Sequence, residues 1–296
     1  MTPNNNLSPL PFYRSIDEQY HRLPYTFGAV YPLIAPQRVL LPFQIMFDRH
    51  GTNEAPVATT VKVQMWNMDG TLYADLTSAM MEIGLSVQHT DKLTVLLYPA
   101  NMPLSVNDMP QGRYYLTASV RYSDDNTTDT RYSEVFTVVS NLHGYTKIEW
   151  WDRQNAVFDA GIIVYERAGY KNRLYMNTEI CRPEYQFDEE GEDRDGYFFP
   201  EKQISEKTYR FALLLPEFLC DVMRLARLSD YVEITDRYGR VYRCDTFLMT
   251  VDWSGNADVA TVECEFETDT VVKKIGNSVT VTEAGDFNID FNDDFD

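Results

Sequence analysis

The chain has 296 residues, of which 44% are hydrophobic and 14% aromatic, and its formal net charge is −19. This length is enough for two domains that each bury a core, and the aromatic content favours strands over helical bundles. Because so negative a protein repels phosphate backbones and anionic lipids, we expect no specific nucleic-acid binding and no membrane association.

Residues 1–26 are predicted to form an extended N-terminal arm. The asparagines and prolines of MTPNNNLSPLPF disfavour regular structure. Aromatic side chains are interleaved with polar ones, and we expect them to anchor the arm on a neighbouring molecule: Phe12, Tyr13, Tyr20 and Tyr25.

Residues 27–141 predict an immunoglobulin- or fibronectin-like β-sandwich. Val61, Val63 and Met65 alternate with polar residues, and Leu93 begins another apolar run. About seven short strands in roughly 100 residues are typical of this fold. The Cys…Trp…Cys signature is missing, so the sequence leaves the topology open. The clearest strand places five side chains on one face: Tyr114, Leu116, Ala118, Val120 and Tyr122.

Residues 143–275 predict an antiparallel β domain with one packed helix. The alternation around Phe211 and Leu213 indicates a strand that ends at Pro216, and a helix is expected directly after this proline. A hairpin is expected between residues 231–235 and 241–248. The last strand is expected to bury one face, formed by Ala260, Val262, Cys264 and Phe266.

Residues 276–296 form an acidic C-terminal tail. Phe287, Ile289 and Phe291 alternate with Asp or Asn, which is the period of an extended strand with one apolar face. The apolar area is too small to order this segment alone. We therefore expect the two extended terminal arms to lie on neighbouring subunits, the tail by pairing with a sheet edge.

The sequence offers no catalytic constellation. Its histidines occur in no H-E-x-x-H pattern, and its glycines form no phosphate-binding loop. The cysteines contain no C-x-x-C pair, which favours buried free thiols over a metal site. We therefore expect no enzymatic activity, no cofactor and no metal. The residues concerned are His21, His50, His89, His143, Cys181, Cys220, Cys244 and Cys264.

Two acidic runs, residues 124–129 and 188–195, could offer oxygen ligands to calcium. Neither has the spacing of an EF-hand, and solvated loops are the favoured interpretation. The N-terminus has no secretory signal, and no stretch approaches the roughly 20 apolar residues of a membrane span. We expect synthesis in a reducing cytoplasm.

Two other functions stay open. Trp66, Trp150 and Trp151 could form a sugar-binding face, although the alternation of residues 146–151 places at least one tryptophan in the core. A carbohydrate-binding or adhesion protein is therefore the alternative function. A hydrolase would need two carboxylates that converge in a cleft, and no pair stands out among 45 acidic residues.

Residues 147–276 contain the blocks KIEWWD, RLYMNTEICRPEY, SDYVEITDRYGRVY and VECEFETDTVVKKIG. These blocks carry a resemblance to structural proteins of phages and prophages of gut Bacteroidetes, including crAss-like phages. The resemblance implies a virion protein, made in the host bacterial cytoplasm, that forms a homo-oligomeric ring in the neck or tail region. Its partners would be copies of itself and other neck or tail proteins.

Overall fold

The computed structural model describes residues 8–13, 33–48, 59–83, 93–98, 108–152, 171–253 and 259–274. Strands dominate this part of the chain, and a helix packs on them. The predicted mainly β fold is therefore confirmed.

The N-terminal half is built from short strands joined by turns and one 3₁₀ turn at Thr77–Ala79. Its described strands are β1 (Phe12–Tyr13), β2 (Leu33–Pro36), β3 (Phe43–Asp48), β4 (Thr59–Asn67), β5 (Leu72–Asp75), β6 (Met81–Ile83), β7 (Leu93–Tyr98), β8 (Gly112–Tyr122), β9 (Thr128–Ser133) and β10 (Phe136–Val139).

These strands form two sheets that share one core. In the seven-stranded sheet, β8 pairs with β4, β9 and β10, and β10 pairs in parallel with β2. The second sheet has the order β3-β7-β6. Phe43 and Tyr98 of the small sheet stack at 5.1 Å and belong to the same buried cluster as Leu116 and Phe136 of the large one. Two sheets around one core are a β-sandwich.

The strand order matches that of an immunoglobulin domain. β3, β7 and β6 take the places of strands B, E and D, while β4, β8 and β10 take those of C, F and G. The face predicted for β8 is confirmed, since Tyr114, Leu116, Ala118 and Val120 are buried. Tyr122, at the end of the strand, is half-buried and packs against the same core.

The C-terminal half contains longer strands and the helix. Its described elements are β11 (Thr146–Trp151), β12 (Asn172–Met176), β13 (Glu184–Arg194), β14 (Tyr197–Pro216), α1 (Glu217–Leu228), β15 (Tyr231–Thr235), β16 (Val241–Arg243), β17 (Thr246–Asp252) and β18 (Val259–Lys274).

These strands form two four-stranded sheets, β12-β11-β15-β16 and β13-β14-β18-β17, and α1 contacts strands of both. The helix begins directly after Pro216, as expected, and buries Val222 and Leu225. The inner face predicted for β18 is also confirmed, because Ala260, Val262, Cys264 and Phe266 are all buried.

The hairpin expected between residues 231–235 and 241–248 is only partly correct. The second segment is two strands, of which β16 pairs with β15 and β17 pairs with β18 in the other sheet. The chain changes sheets at Cys244 and Asp245, whose backbone N–H groups donate to the carbonyls of Val232 and Glu267. The side-chain pattern does not mark this step because the exchange is made by backbone groups.

The structure corrects the prediction for two of the arm residues. β1 pairs with β9, which places Phe12 opposite Ser133 and Tyr13 opposite Tyr132. Both rings are buried, and Phe12 lies 5.7 Å from Phe43 in the core of its own chain. Ladder hydrogen bonds and core contacts within the chain thus hold the residues that were expected to reach a neighbour. The other predicted interface residues, Tyr20, Tyr25, Phe287, Ile289 and Phe291, lie outside the described residues.

Candidate interaction surface

A long hairpin of β13 and β14 extends from the second sheet pair. The two strands pair from Glu184 opposite Thr208 to Arg194 opposite Tyr197. Asp195 and Gly196 join them with positive φ angles of 52° and 81°, the conformation of the tight turns that suit twisted hairpins. The acidic run 188–195 is therefore a strand and its turn, which corrects the predicted solvated loop. Pairing with β14 overrides the low strand preference of acidic residues.

β18 continues beside this hairpin beyond Glu267, which lies opposite Thr246, the first residue of β17. β17 pairs with β18 only from Thr261 to Glu267, whereas β14 pairs with β18 as far as Lys274. Residues 184–194, 197–207 and 269–274 thus form a three-stranded extension, which we call the projecting sheet. Among its described side chains, none is buried. Both of its faces are accessible in the monomer.

The projecting sheet exposes large apolar side chains. Single exposed hydrophobic residues are normal, but a group on adjacent strands marks an interaction surface. Aromatic residues are enriched in such surfaces. Between 40% and 76% of each of the following residues is exposed: Tyr185, Phe187, Tyr197, Phe198, Phe199, Val271 and Val272.

A glycine shapes the hairpin. The β13–β14 register shifts between Glu190 and Gly191, which is a β-bulge. A Cβ at Gly191 would overlap the backbone carbonyl of Phe199 and come within 2.8 Å of the Pro200 Cα. Only glycine allows the two backbones to approach this closely, so the sequence itself specifies the bend in the hairpin.

A buried ion group around Glu149 has a structural role in the β12-β11-β15-β16 sheet. Glu149, which strand alternation places on the outer face of β11, is buried between two cations. Arg173 Nε donates to its Oε1 at 2.7 Å, and Lys147 Nζ donates to its Oε2 at 2.5 Å. Burial alone would raise the pKa of Glu149, but the hydrogen bond from Lys147 and the charge and hydrogen bond of Arg173 outweigh it and lower the pKa. This buried ion group links β11 to β12 through the bond between Glu149 and Arg173.

A groove of about 460 Å³ lies on the β13-β14-β18-β17 sheet. Two acidic residues, Glu263 and Glu265, line it. Arg210 Nε donates to Glu265 at 2.6 Å, and its guanidinium also pairs with Glu184 at 3.2 Å. This ion network ties β13, β14 and β18 together at the base of the projecting sheet. Of the two groove carboxylates, Glu265 is engaged in this network, so the pair gives the hydrolase alternative no support.

Three of the tryptophans were candidates for sugar binding. Trp150 is completely buried, which confirms that one of the pair lies in the core. Trp151 stacks on Tyr231 at 5.3 Å and lies under the Lys171 ammonium at 3.6 Å. Trp66 is half-buried and donates its indole N–H to Thr117. Intramolecular contacts thus occupy all three side chains.

The thiols differ in accessibility. Cys220 and Cys264 are buried and Cys244 is half-buried, and burial raises the pKa of Cys220 to about 11 and of Cys244 and Cys264 to about 12. Cys181 is exposed, which corrects the expectation that every thiol is buried. It lies just before β13, where the chain runs along the surface.

The acidic run 124–129 and the histidines were the other candidates for ligand binding. Across the described ranges, no group of three or more His, Cys, Asp or Glu residues could hold a metal ion. The Asp125 carboxylate accepts hydrogen bonds from the backbone and hydroxyl of Thr127, so it stabilises its own turn. His143 is exposed, whereas the other three histidines lie outside the described residues.

In the part of the chain that the structure describes, no helix combines the length and apolar character needed to cross a membrane. Comparison with protein-family models, with curated proteins and with solved structures gave no match.

Proposed function

We propose that the protein is a structural subunit of a bacteriophage virion, which assembles with copies of itself into a ring in the neck or tail region. The observation that carries the proposal is the exposed apolar group on the projecting sheet, from Tyr185 on β13 to Val272 on β18. The phage context is supported by the resemblance of residues 147–276 to phage structural proteins, and the projecting sheet lies within that stretch.

Apolar side chains exposed on the projecting sheet favour association, because contact with another molecule removes them from water. Each large apolar side chain that moves from water into an interface contributes about 1.5–3 kcal/mol of favourable transfer free energy. The exposed apolar side chains of the projecting sheet gain only part of this in the monomer, because 40% to 76% of each remains exposed. A net charge of −19 keeps free subunits soluble by mutual repulsion. Association therefore requires complementary surfaces, because the repulsion opposes non-specific contacts.

Glycan binding has less support. Of its three candidates, Trp150 is a core residue and Trp151 is already contacted by Tyr231 and Lys171. The third, Trp66, is half-buried and donates its indole N–H to Thr117. Sugar-binding platforms need an accessible aromatic face, which the buried ring of Trp150 does not offer.

The test is the mass of the full-length protein across a concentration series, measured by native mass spectrometry and light scattering. We expect reversible growth to one cyclic oligomer. Phe187→Ser should raise the midpoint concentration of assembly at least tenfold. The matched control is Leu228→Ser at the end of α1, because Leu228 is 71% exposed and Phe187 76%. A wild-type monomer at every concentration would overturn the proposal, as would equal effects of the two substitutions.

A further inference from the structure

The two long edges of the projecting sheet have no strand partner among the described residues. β13 pairs with β14 on one side only, and beyond Glu267 β18 also pairs with β14 on one side only. Thr270 donates its N–H and hydroxyl to the Asp245 carboxylate, so the open part of β18 is Val271–Lys274. Edges of this kind present backbone donors and acceptors to any strand that approaches.

The two edges carry opposite charge. Between residues 184 and 193, β13 has six acidic residues and no Lys or Arg; the six are Glu184, Asp188, Glu189, Glu190, Glu192 and Asp193. The open part of β18, Val271–Lys274, has two lysines and no acidic residue. One edge of the same sheet is therefore anionic and the other cationic.

The pairing register aligns these charges. Glu189 lies opposite Gln203, which lies opposite Lys273 on the far strand. The next row runs from Glu190 through Lys202 to Lys274 in the same way. Both of these rows thus begin with a carboxylate at the β13 edge and end with an ammonium at the β18 edge, at the same height along the strands. The Glu190 carboxylate also pairs with Lys202 of its own sheet at 2.9 Å, so the row of Glu189 and Lys273 carries the argument.

An apolar pair lies beside the charged rows. Phe187 is opposite Ser205, and Ser205 is opposite Val271. Both outer members are exposed, Phe187 to 76% and Val271 to 61%. A copy placed edge to edge at the same height would bring Val271 beside Phe187 and Lys273 beside Glu189. Cross-strand apolar and opposite-charge pairs each stabilise a sheet.

We infer that the β18 edge of one copy pairs with the β13 edge of the next, so that the projecting sheets join into one continuous sheet around the ring; this rests on the proposed function. β13 and β18 run in the same direction because both are antiparallel to β14. Copies related by rotation about an axis along the strands therefore meet in parallel.

The charges also select the symmetry of the contact. Two β13 edges would bring carboxylates together, and two β18 edges would bring ammonium groups together, so the two-fold contacts are repulsive. The unlike pairing is head-to-tail, and head-to-tail contacts form a ring when the rotation between copies closes and an open filament when it does not. Edge charges commonly serve only to prevent strand pairing. If that were their role here, reversing the charge at either edge would leave the assembly unchanged or strengthen it.

The experiment reverses the charge at one row. Lys273→Glu and Glu189→Lys flank the neutral Gln203, so neither variant places like charges side by side across the strands of its own sheet. We expect each variant to weaken assembly at least tenfold, and the two substitutions in one chain to restore it. A mixture of the two single variants should form mixed oligomers. The control is Arg182→Glu, an exposed residue just before β13 that undergoes the same change of charge as Lys273→Glu.

A disulfide test examines the contact directly. Within one chain, positions 189 and 273 are two strands apart, roughly 9.6 Å at about 4.8 Å per strand, beyond the reach of about 7 Å for a disulfide. Any bond formed by Glu189→Cys and Lys273→Cys in a Cys181→Ser background therefore joins different copies. We expect a ladder of covalent multimers on a non-reducing gel, while each single-cysteine variant gives at most a dimer.

The outcomes separate the two proposals. If the wild type forms rings that are insensitive to both charge reversals and the double cysteine variant gives no ladder, the edge pairing is overturned and the ring-forming function stands. If the wild type is monomeric at every concentration, both are overturned. Circular dichroism of each variant establishes that the monomer is folded, so a loss of assembly reports the contact.

Discussion

The phenol of Tyr114 donates a hydrogen bond to the backbone carbonyl of Pro110 at 2.9 Å. Tyr114 lies near the start of β8, which takes the place of strand F in the sandwich. A tyrosine in this position, bonded to the backbone a few residues upstream, is the tyrosine corner of immunoglobulin-like domains. The ring also packs on Tyr73 at 5.4 Å and Phe136 at 6.2 Å. An immunoglobulin hallmark is therefore present without the disulfide and its tryptophan.

Removing this hydrogen bond should destabilise the sandwich. Tyr114→Phe keeps the ring but leaves the Pro110 carbonyl without its partner, and we expect a loss of about 1 kcal/mol in the free energy of unfolding. Urea denaturation monitored by fluorescence measures it. Tyr197→Phe is the control, since that residue is 71% exposed at the hairpin turn. Equal midpoints for Tyr114→Phe and the wild type would show that the corner carries no stability.

The buried ion group predicts a larger effect with a defined pH dependence. Glu149→Gln removes the carboxylate that pairs with the buried Arg173, and removing one partner of a buried pair costs about 3–5 kcal/mol. The folded state lowers the pKa of Glu149, so its stabilisation is present above the unfolded value of about 4.3 and is lost as pH falls through the folded pKa. The difference in the free energy of unfolding between the wild type and Glu149→Gln should therefore decrease below pH 4.

Urea midpoints from pH 7 to pH 3 measure this difference. Glu179→Gln is the matched control, because Glu179 also pairs with an arginine, Arg237 at 2.9 Å, but at an exposed position. Exposed pairs contribute little to stability. A difference for Glu149→Gln that stayed constant over this range would contradict the assigned role.

The bulge in the projecting sheet predicts a local effect. Gly191→Ala forces a methyl group against the Phe199 carbonyl, so the outer hairpin should open while the core keeps its stability. We expect amide hydrogen exchange to accelerate between residues 186 and 203, with no change in the global unfolding midpoint. Glu190→Ala serves as the comparison because it keeps the glycine. Unchanged exchange in Gly191→Ala would mean that the hairpin accommodates the added methyl group without opening.

The C-terminal tail remains a predicted contact. Deleting residues 277–296 should weaken assembly and leave the monomer folded, because Phe287, Ile289 and Phe291 would lose the neighbour on which they are expected to lie. The deletion begins after Lys274, so the β18 edge stays intact. Sedimentation velocity compares the truncated and full-length proteins at equal concentrations. Identical profiles would assign no part in assembly to the tail.

Elements with one buried face were predictable from the sequence. β18 alternates strictly over the half that pairs with β17 and β8 alternates except at the buried Thr117, because one side of each strand faces a core. The helix α1 begins where a proline ends β14. Local patterns suffice when burial depends on one face alone.

The sequence pattern failed where distant partners decide the outcome. Glu149 is buried because Lys147 and Arg173 neutralise it, and Arg173 is 24 residues away. The acidic run at 188–195 is a strand because β14 supplies its ladder. The candidate interface was missed for the same reason: the exposed rings of β13, β14 and β18 become one surface only after three distant segments pair. Phe187, flanked by Gln186 and Asp188, was the available signal.

β14 is a single strand of 20 residues, Tyr197–Pro216, with a span of about 65 Å at about 3.3 Å per residue. It runs from the turn of the projecting sheet to the start of α1, with register shifts against β13 and β18 along its length. Because the turn joins β13 to β14, a pull applied there along the strands would move both together and load the hydrogen bonds between β14 and β18 in shear, rather than one after another. The arrangement suits a part that must bear tension, since one strand joins the projecting sheet to the core.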